Sequence, residues 1–410
     1  MIAQLLPIAI SPIITRLYSP NDIAVLGLYM SIILVLLPVS TGSFELSIVL
    51  PKKKEEALNL FVLSIIISFL CCCTFLIIAL LFQSPLSLFL NSQAISQWFV
   101  FVPLSVFLLT VNNSFTCFFN RNKEYKIIAI NKINKNWWMS IAQLLFGYTS
   151  LKSIGLISGQ IIGDLFSTIL LGINFIRKKH FSVLKLSFST TLIRKLISEY
   201  KKFPLFTMPT VLMNNISSEI LTILVAIWFN SGLTGAYYFT MRILSAPMAL
   251  IGSSLAQTYF QKFTEIINEG KENPKPFIIK VWLGLFSIAI VPLTIIYIWG
   301  EELFIIIFGQ EWGNAGKIAS VMAPMTLFSF MSSPTSSGFI VLRKQNYNLL
   351  FGIIVFIYRP LSFYLGFKLN DFLLGLKILV LLEIINVFAY NALMWINIEK
   401  HNSKHKTLQQ

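Results

Sequence analysis

Ionisable side chains are scarce in this 410-residue chain: 12% of its residues are charged and 56% are hydrophobic. An ordinary soluble domain carries about 25% charged and roughly 45–50% apolar residues. Folding in water cannot hide the difference, because about a quarter of an unfolded chain's surface stays exposed even near 300 residues. The shortage of charge excludes a soluble enzyme and a disordered chain, and makes lipid the solvent. Histidine is rarer still. His180, His401 and His405 are the only three, all in a basic loop or the tail, which leaves no His-based catalytic or metal centre. The four cysteines lie in apolar runs, three of them adjacent (Cys71, Cys72, Cys73) and Cys117 alone; neighbours of that kind build neither a disulfide framework nor a metal site. Phosphate-binding glycine loops, CxxC and HExxH motifs are missing too. No catalytic residue, metal or cofactor is expected. The task is binding and shape change.

What the chain has is apolar runs bounded by charged or turn residues. They cover 1–15, 23–49, 57–82, 95–119, 134–150, 153–176, 204–229, 235–260, 276–299, 315–341, 346–367 and 372–397. A helical crossing needs roughly 20 residues, so twelve spans are expected, with both termini on one side. Lys and Arg confirm the alternation. Loops 50–56, 120–135, 177–203, 261–280, 342–345 and the tail 398–410 hold 25 of them, whereas the opposite loops hold Arg16, Lys152, Lys317 and Lys368. Basic loops face the cytoplasm, so both termini are expected there. The net charge of +15 sits in short clusters such as Lys52-Lys53-Lys54 and Arg177-Lys178-Lys179, so a nucleic-acid partner is not expected. The basic stretch 177–203 separates a six-span lobe, 1–176, from a second, 204–397. The first run would reach only about 22 Å as a helix, against a core near 30 Å. We therefore expect the native gene to have an in-frame start, or a damaged one, before Met1.

The halves carry a faint parallel repeat. Tyr29 precedes Pro38 by nine residues and Lys53 follows it by fifteen; Tyr238, Pro247 and Lys262 repeat both spacings. Pro38 and Pro247 remove mid-helix hydrogen bonds and are candidate hinges. Gly155, Gly159 and Gly163 make two GxxxG steps, which let another helix approach closely. Segment 300–314, with Glu301, Glu302 and Glu311 among aromatics, suits a small amphipathic element at the interface.

Several stretches resemble the bacterial O-antigen and polysaccharide flippase family, within the multidrug/oligosaccharidyl-lipid/polysaccharide exporter superfamily. They are Thr15-Arg16-Leu17-Tyr18-Ser19-Pro20 through Gly27-Leu28-Tyr29, Phe44-Glu45-Leu46-Ser47-Ile48-Val49-Leu50-Pro51 with the following Glu55 to Leu60, Gly235 to Gln261, Phe308-Gly309-Gln310-Glu311-Trp312 with Ala315-Gly316, and Ser333-Pro334 with Arg343-Lys344-Gln345. The order is kept along nearly the whole chain. Departures are the short amino end and Glu219, where an uncharged residue is expected. The resemblance implies an all-α membrane fold of twelve helices, in two six-helix lobes around a central cavity. It further implies translocation of an undecaprenyl-pyrophosphate-linked oligosaccharide across the bacterial inner membrane. Membrane lipids, a polysaccharide polymerase and chain-length machinery would be its partners.

Charges inside spans are costly and face a bundle interior or a wet cavity. The candidates are Glu45, Asp164, Glu219, Arg242, Arg359, Lys377 and Glu383. Arg242 and Arg359 suit a pyrophosphate, which a guanidinium fork matches. Asp164, Glu219, Glu383 and Lys377 are candidate ion-coupling or ion-pair residues, and Glu219–Arg242 is the expected pair across consecutive helices. The competing reading makes all of these structural ion pairs. Arg16 and Glu45, near span ends, fit snorkelling. Two other functions stay open: a small-molecule or cation exporter of the same superfamily, and a membrane polysaccharide polymerase, for which the outer loops are too short.

Overall fold

The computed structural model describes residues 2–89, 93–149, 152–269, 273–342 and 344–409. Among the described residues there is no strand, and twelve helices of 16 residues or more carry the chain. They are α1 (Ile2–Leu17), α2 (Pro20–Thr41), α4 (Lys54–Phe89), α5 (Val102–Arg121), α6 (Tyr125–Tyr148), α7 (Lys152–Arg177), α10 (Met208–Trp228), α11 (Ser231–Glu269), α12 (Pro274–Phe308), α13 (Gly313–Ser332), α15 (Gln345–Lys368) and α16 (Phe372–Gln409). Short helices α3 (Phe44–Ser47), α8 (His180–Ser187), α9 (Thr190–Glu199) and α14 (Gly338–Val341) connect them. Eight of the described helices are long and apolar enough to cross a membrane. Large apolar side chains such as Leu70, Ile77 and Leu81 on α4 and Leu283, Ile288 and Val291 on α12 point out of the protein. Such surfaces belong in hydrocarbon, where every backbone polar group must be bonded within the helix itself.

Two compact units form, Met1–Gly235 and Ala236–Gln410. The connecting helices α8 and α9 pack on α4, and α10 packs on α2.

In the first unit the chain starts α2 with a capping box. The Asp22 amide donates to Ser19 Oγ at 3.3 Å, while the Ser19 amide donates to Asp22 Oδ2 at 3.0 Å. The other Asp22 oxygen accepts the Ser153 amide at 3.0 Å. One carboxylate thus caps α2 and α7 together, at two positive helix ends. Ser231, at the start of α11, donates to Asn21 Oδ1 at 2.7 Å, so α2, α7 and α11 all begin at the same end of this unit. The basic loops meet at the other end. Arg121 Nη2 donates to Pro51 O at 2.9 Å, and Lys178 pairs with Glu124 at 3.0 Å.

The glycine ridge on α7 packs on α6. A Cβ at Gly159 would meet Gln143 Cγ at 2.5 Å, and one at Gly163 would meet the Lys135 carbonyl at 2.9 Å. Only glycine permits this approach, as the GxxxG steps lead one to expect.

The internal repeat does not extend to the helices. Pro38 lies in the last turn of α2, which ends at Gly42 in the left-handed region (φ 58°). Helix α11 instead runs far past position 247 to Glu269. Lys53 is therefore in a loop and Lys262 in a helix. The Pro247 ring lies outside the described side chains. Segment 300–314 is part of α12 and its exit. A break at Trp299 (φ −118°, ψ 25°) sets off the last nine residues, Gly300 to Phe308, before the turn Gln310–Trp312. Arg343, in one of the family-like stretches, falls outside the described residues.

Candidate functional site

The intramembrane charges divide between the units, and each meets a different fate. In the first unit, helix α6 begins at Tyr125, nine residues before the run at 134–150 used to place it. Lys135 therefore sits well inside a helix and not at a loop edge. The sequence reading missed it because Lys126, Lys132 and Lys135 together mimic a cytoplasmic loop. The Gly163 approach brings α6 close at this level, and the Lys135 ammonium reaches Asp164 on α7. Asp164 is fully buried. Its other oxygen accepts a bond from Gln160 Nε2 at 2.9 Å.

One turn on, Ser167 Oγ accepts Asn131 Nδ2 at 2.8 Å and also Asn112 Nδ2. Thr168 Oγ1 donates to the Asp164 carbonyl at 2.9 Å. Helices α5, α6 and α7 are thus knitted by one polar network around a paired carboxylate. A buried charge of this kind survives only with a partner and full hydrogen bonding. Asp164, an ion-coupling or ion-pair candidate by its sequence position, takes the ion-pair arrangement here.

Glu219, expected to pair with Arg242, makes a contact within the first unit. Because α10 packs on α2, its Oε2 accepts Ser31 Oγ at 2.7 Å, and nearby Asn215 Nδ2 donates to Leu34 O at 2.7 Å. Ser31 is completely buried while Glu219 remains half-buried. Glu45, in α3, accepts from Thr41 Oγ1, a local helix-end contact.

In the second unit, α15 and α16 cross closely enough for the Gly366 and Gly375 backbones to touch. Near this crossing Arg359 Nε donates to Glu383 Oε1 at 2.6 Å. Ser362 Oγ donates to the Arg359 carbonyl at 2.7 Å, and Pro360 follows Arg359 directly. The Glu383 side chain is 8% exposed and that of Arg359 is 25% exposed, so the carboxylate is buried while part of the guanidinium reaches the surface of its unit. Arg242 lies half-buried on α11 and forms no ion pair among the described residues of its unit. Lys377, an ion-coupling or ion-pair candidate, lies early in α16 with its side chain exposed. Among the described residues no group of His, Cys, Asp or Glu could hold a metal ion.

Residues 13–317 match the family described as polysaccharide biosynthesis protein. No curated protein matches the chain. Among solved structures it is similar to a multidrug resistance MATE family transporter of the MOP superfamily in an inward-facing conformation, at TM-score 0.80 and 13% identity over 98% of this chain and 96% of that one. An outward-facing MATE family transporter gives TM-score 0.55 at 10% identity, covering 99% and 95%. A MOP superfamily transporter from Pyrococcus furiosus, whose binding pocket is described as reversed in polarity, gives 0.59 at 13% identity, covering 98% and 93%. At these identities the likeness is one of fold.

Proposed function

The chain belongs to the polysaccharide biosynthesis protein family and has the membrane-embedded fold of MOP superfamily transporters, and from that premise we propose that it moves a lipid-pyrophosphate-linked oligosaccharide across the bacterial inner membrane by alternating access, with both termini cytoplasmic. The family match over 13–317 carries this reading, because the fold alone is shared with multidrug exporters. Fold relatives solved both inward-facing and outward-facing support the mode of transport. The protein acts as a transporter and not as an enzyme.

A pyrophosphate head group brings about two negative charges into a region where an isolated charge is costly. Lys135 is committed to Asp164. Arg242, without a carboxylate partner among the described residues of its unit, is the cation best placed to meet the head group. Arg359 is the second, held in orientation by Glu383. A guanidinium fork offers two parallel hydrogen bonds to phosphate oxygens, which a lysine cannot copy. Polymerase and chain-length proteins would use the product at the far leaflet.

The test is reconstitution. Purified protein in vesicles should carry a fluorescent undecaprenyl-pyrophosphate-linked oligosaccharide to the leaflet where an impermeant quencher reaches it. Movement of organic cations with no movement of the lipid-linked sugar would replace this reading with an exporter.

A further inference from the structure

The segment between α7 and α10 is the most basic in the chain: 177–203 holds eight Lys and Arg residues against one acid, Glu199. Its helix α9 is two-faced. Leu192, Ile193 and Leu196 pack against the α4–α5 core, while Arg194, Lys195 and Ile197 are exposed. The turn between α8 and α9 is pinned at a fixed height. Asn59 Nδ2 donates to Ser187 O at 2.9 Å, and the Ser189 amide donates to Asn59 Oδ1 at 3.1 Å. Asn59 is fully buried and lies five residues into α4. That is about 7.5 Å along the helix axis from its charged start.

An element lying in a membrane interface buries its apolar face roughly 5–10 Å into the boundary of headgroups and acyl chains. The side chains at this height suit that depth. Leu186 is 89% exposed, and Phe181 and Phe188 also point away from the protein. Lys179 is exposed nearby, on a residue with φ 58°. Of the surrounding acids, Glu124 is taken by Lys178, and Glu55, Glu56 and Glu199 are outnumbered by Lys52, Lys53, Lys54 and the seven other cations of the segment. Positive charge prevails, and a polybasic surface beside a membrane attracts anionic headgroups.

We propose that 177–203 is a membrane-surface element in which Phe181, Leu186 and Phe188 insert into the leaflet and Lys179, Arg194 and Lys195 bind anionic phospholipid headgroups. The proposal does not depend on what the protein transports.

It is tested on the full chain in lipid nanodiscs, with the four cysteines changed to Ala and an environment-sensitive fluorophore on Leu186→Cys. The dye should emit as in an apolar medium, and iodide should quench it at least about fivefold less than the same dye on Lys53→Cys, given the insertion depth. Phosphatidylglycerol spin-labelled near its headgroup should quench it more than equally labelled phosphatidylcholine. Arg194→Gln with Lys195→Gln should cut that preference by about fivefold or more, from the value of each charge near a lipid surface. Water-like emission with full iodide access, or equal quenching by the two lipids, overturns the proposal. Native mass spectrometry of the unmodified chain gives an independent reading: retained phosphatidylglycerol should exceed phosphatidylcholine and fall in the Gln pair, and equal retention overturns the lipid preference.

Discussion

Lys135 and Asp164 form an ion pair between α6 and α7, held where Gly163 brings the two backbones together. Removing one partner strands the other in a dry place, at a cost on the order of 3–5 kcal/mol. Lys135→Met and Asp164→Leu should each lower thermal stability in detergent sharply. The double variant should recover most of the loss, since an apolar pair of similar volume is nearly neutral. If the double variant is as unstable as either single one, the pair is not what holds this site.

Arg359 and Arg242 should respond differently to loss. Arg359→Ala uncovers Glu383 and should reduce both stability and transport; adding Glu383→Ala should restore stability alone. Arg242→Ala should leave the melting temperature within about a degree, as exposed or lightly packed changes do, and reduce transport at least about tenfold, the value of one charge-assisted hydrogen bond. Arg242→Lys should rescue part of it. Normal transport by Arg242→Ala in the vesicle assay removes it from the substrate path.

His180 gives a pH test outside the membrane spans. Its ring is buried against Phe118, Phe119 and Phe175, with Nε2 3.7 Å from Glu124. Burial, helped by Lys54 and Lys178 and opposed by Glu124, pushes its pKa below the ordinary 6.5. As pH falls through 6.5, the unfolded chain binds the proton first. Folding stability is then lost progressively down to the lower folded value, and is whole above 6.5. Melting temperatures from about pH 8 to about pH 5 should fall for the native chain and flatten for His180→Phe. An unchanged slope in that variant assigns the acid sensitivity to other groups.

Topology can be read by labelling. With Lys53→Cys and Glu302→Cys in a cysteine-free background, an impermeant thiol reagent outside spheroplasts should modify only the second. Labelling of Lys53→Cys would invert the orientation.

Much of the architecture was legible, because hydrocarbon demands long apolar helices and loop charge marks their sides. The site was less so. Lys135 hid in a basic run, and what shows it to be interior is the α7 glycine ridge, which reaches as far as Gly163 and so to the level of Lys135. The contact of Glu219 with α2 could not be read, because its partner Ser31 carries no charge to betray itself. The Arg359–Glu383 pair was readable only as two costly charges in neighbouring spans. The place of Pro38 in the last turn of α2 could not be read, because the left-handed stop at Gly42 leaves no mark in the apolar pattern.

The double cap at Asp22 sets an order of events during synthesis. Its first oxygen is satisfied as soon as the opening turn of α2 forms. The second awaits Ser153, 131 residues later in the chain. Until α7 has been made and inserted, a carboxylate sits at the end of α2 with half its bonding unfulfilled. Asp22 thereby couples the second helix made to the last long helix before the basic linker, two elements that the chain supplies far apart in time.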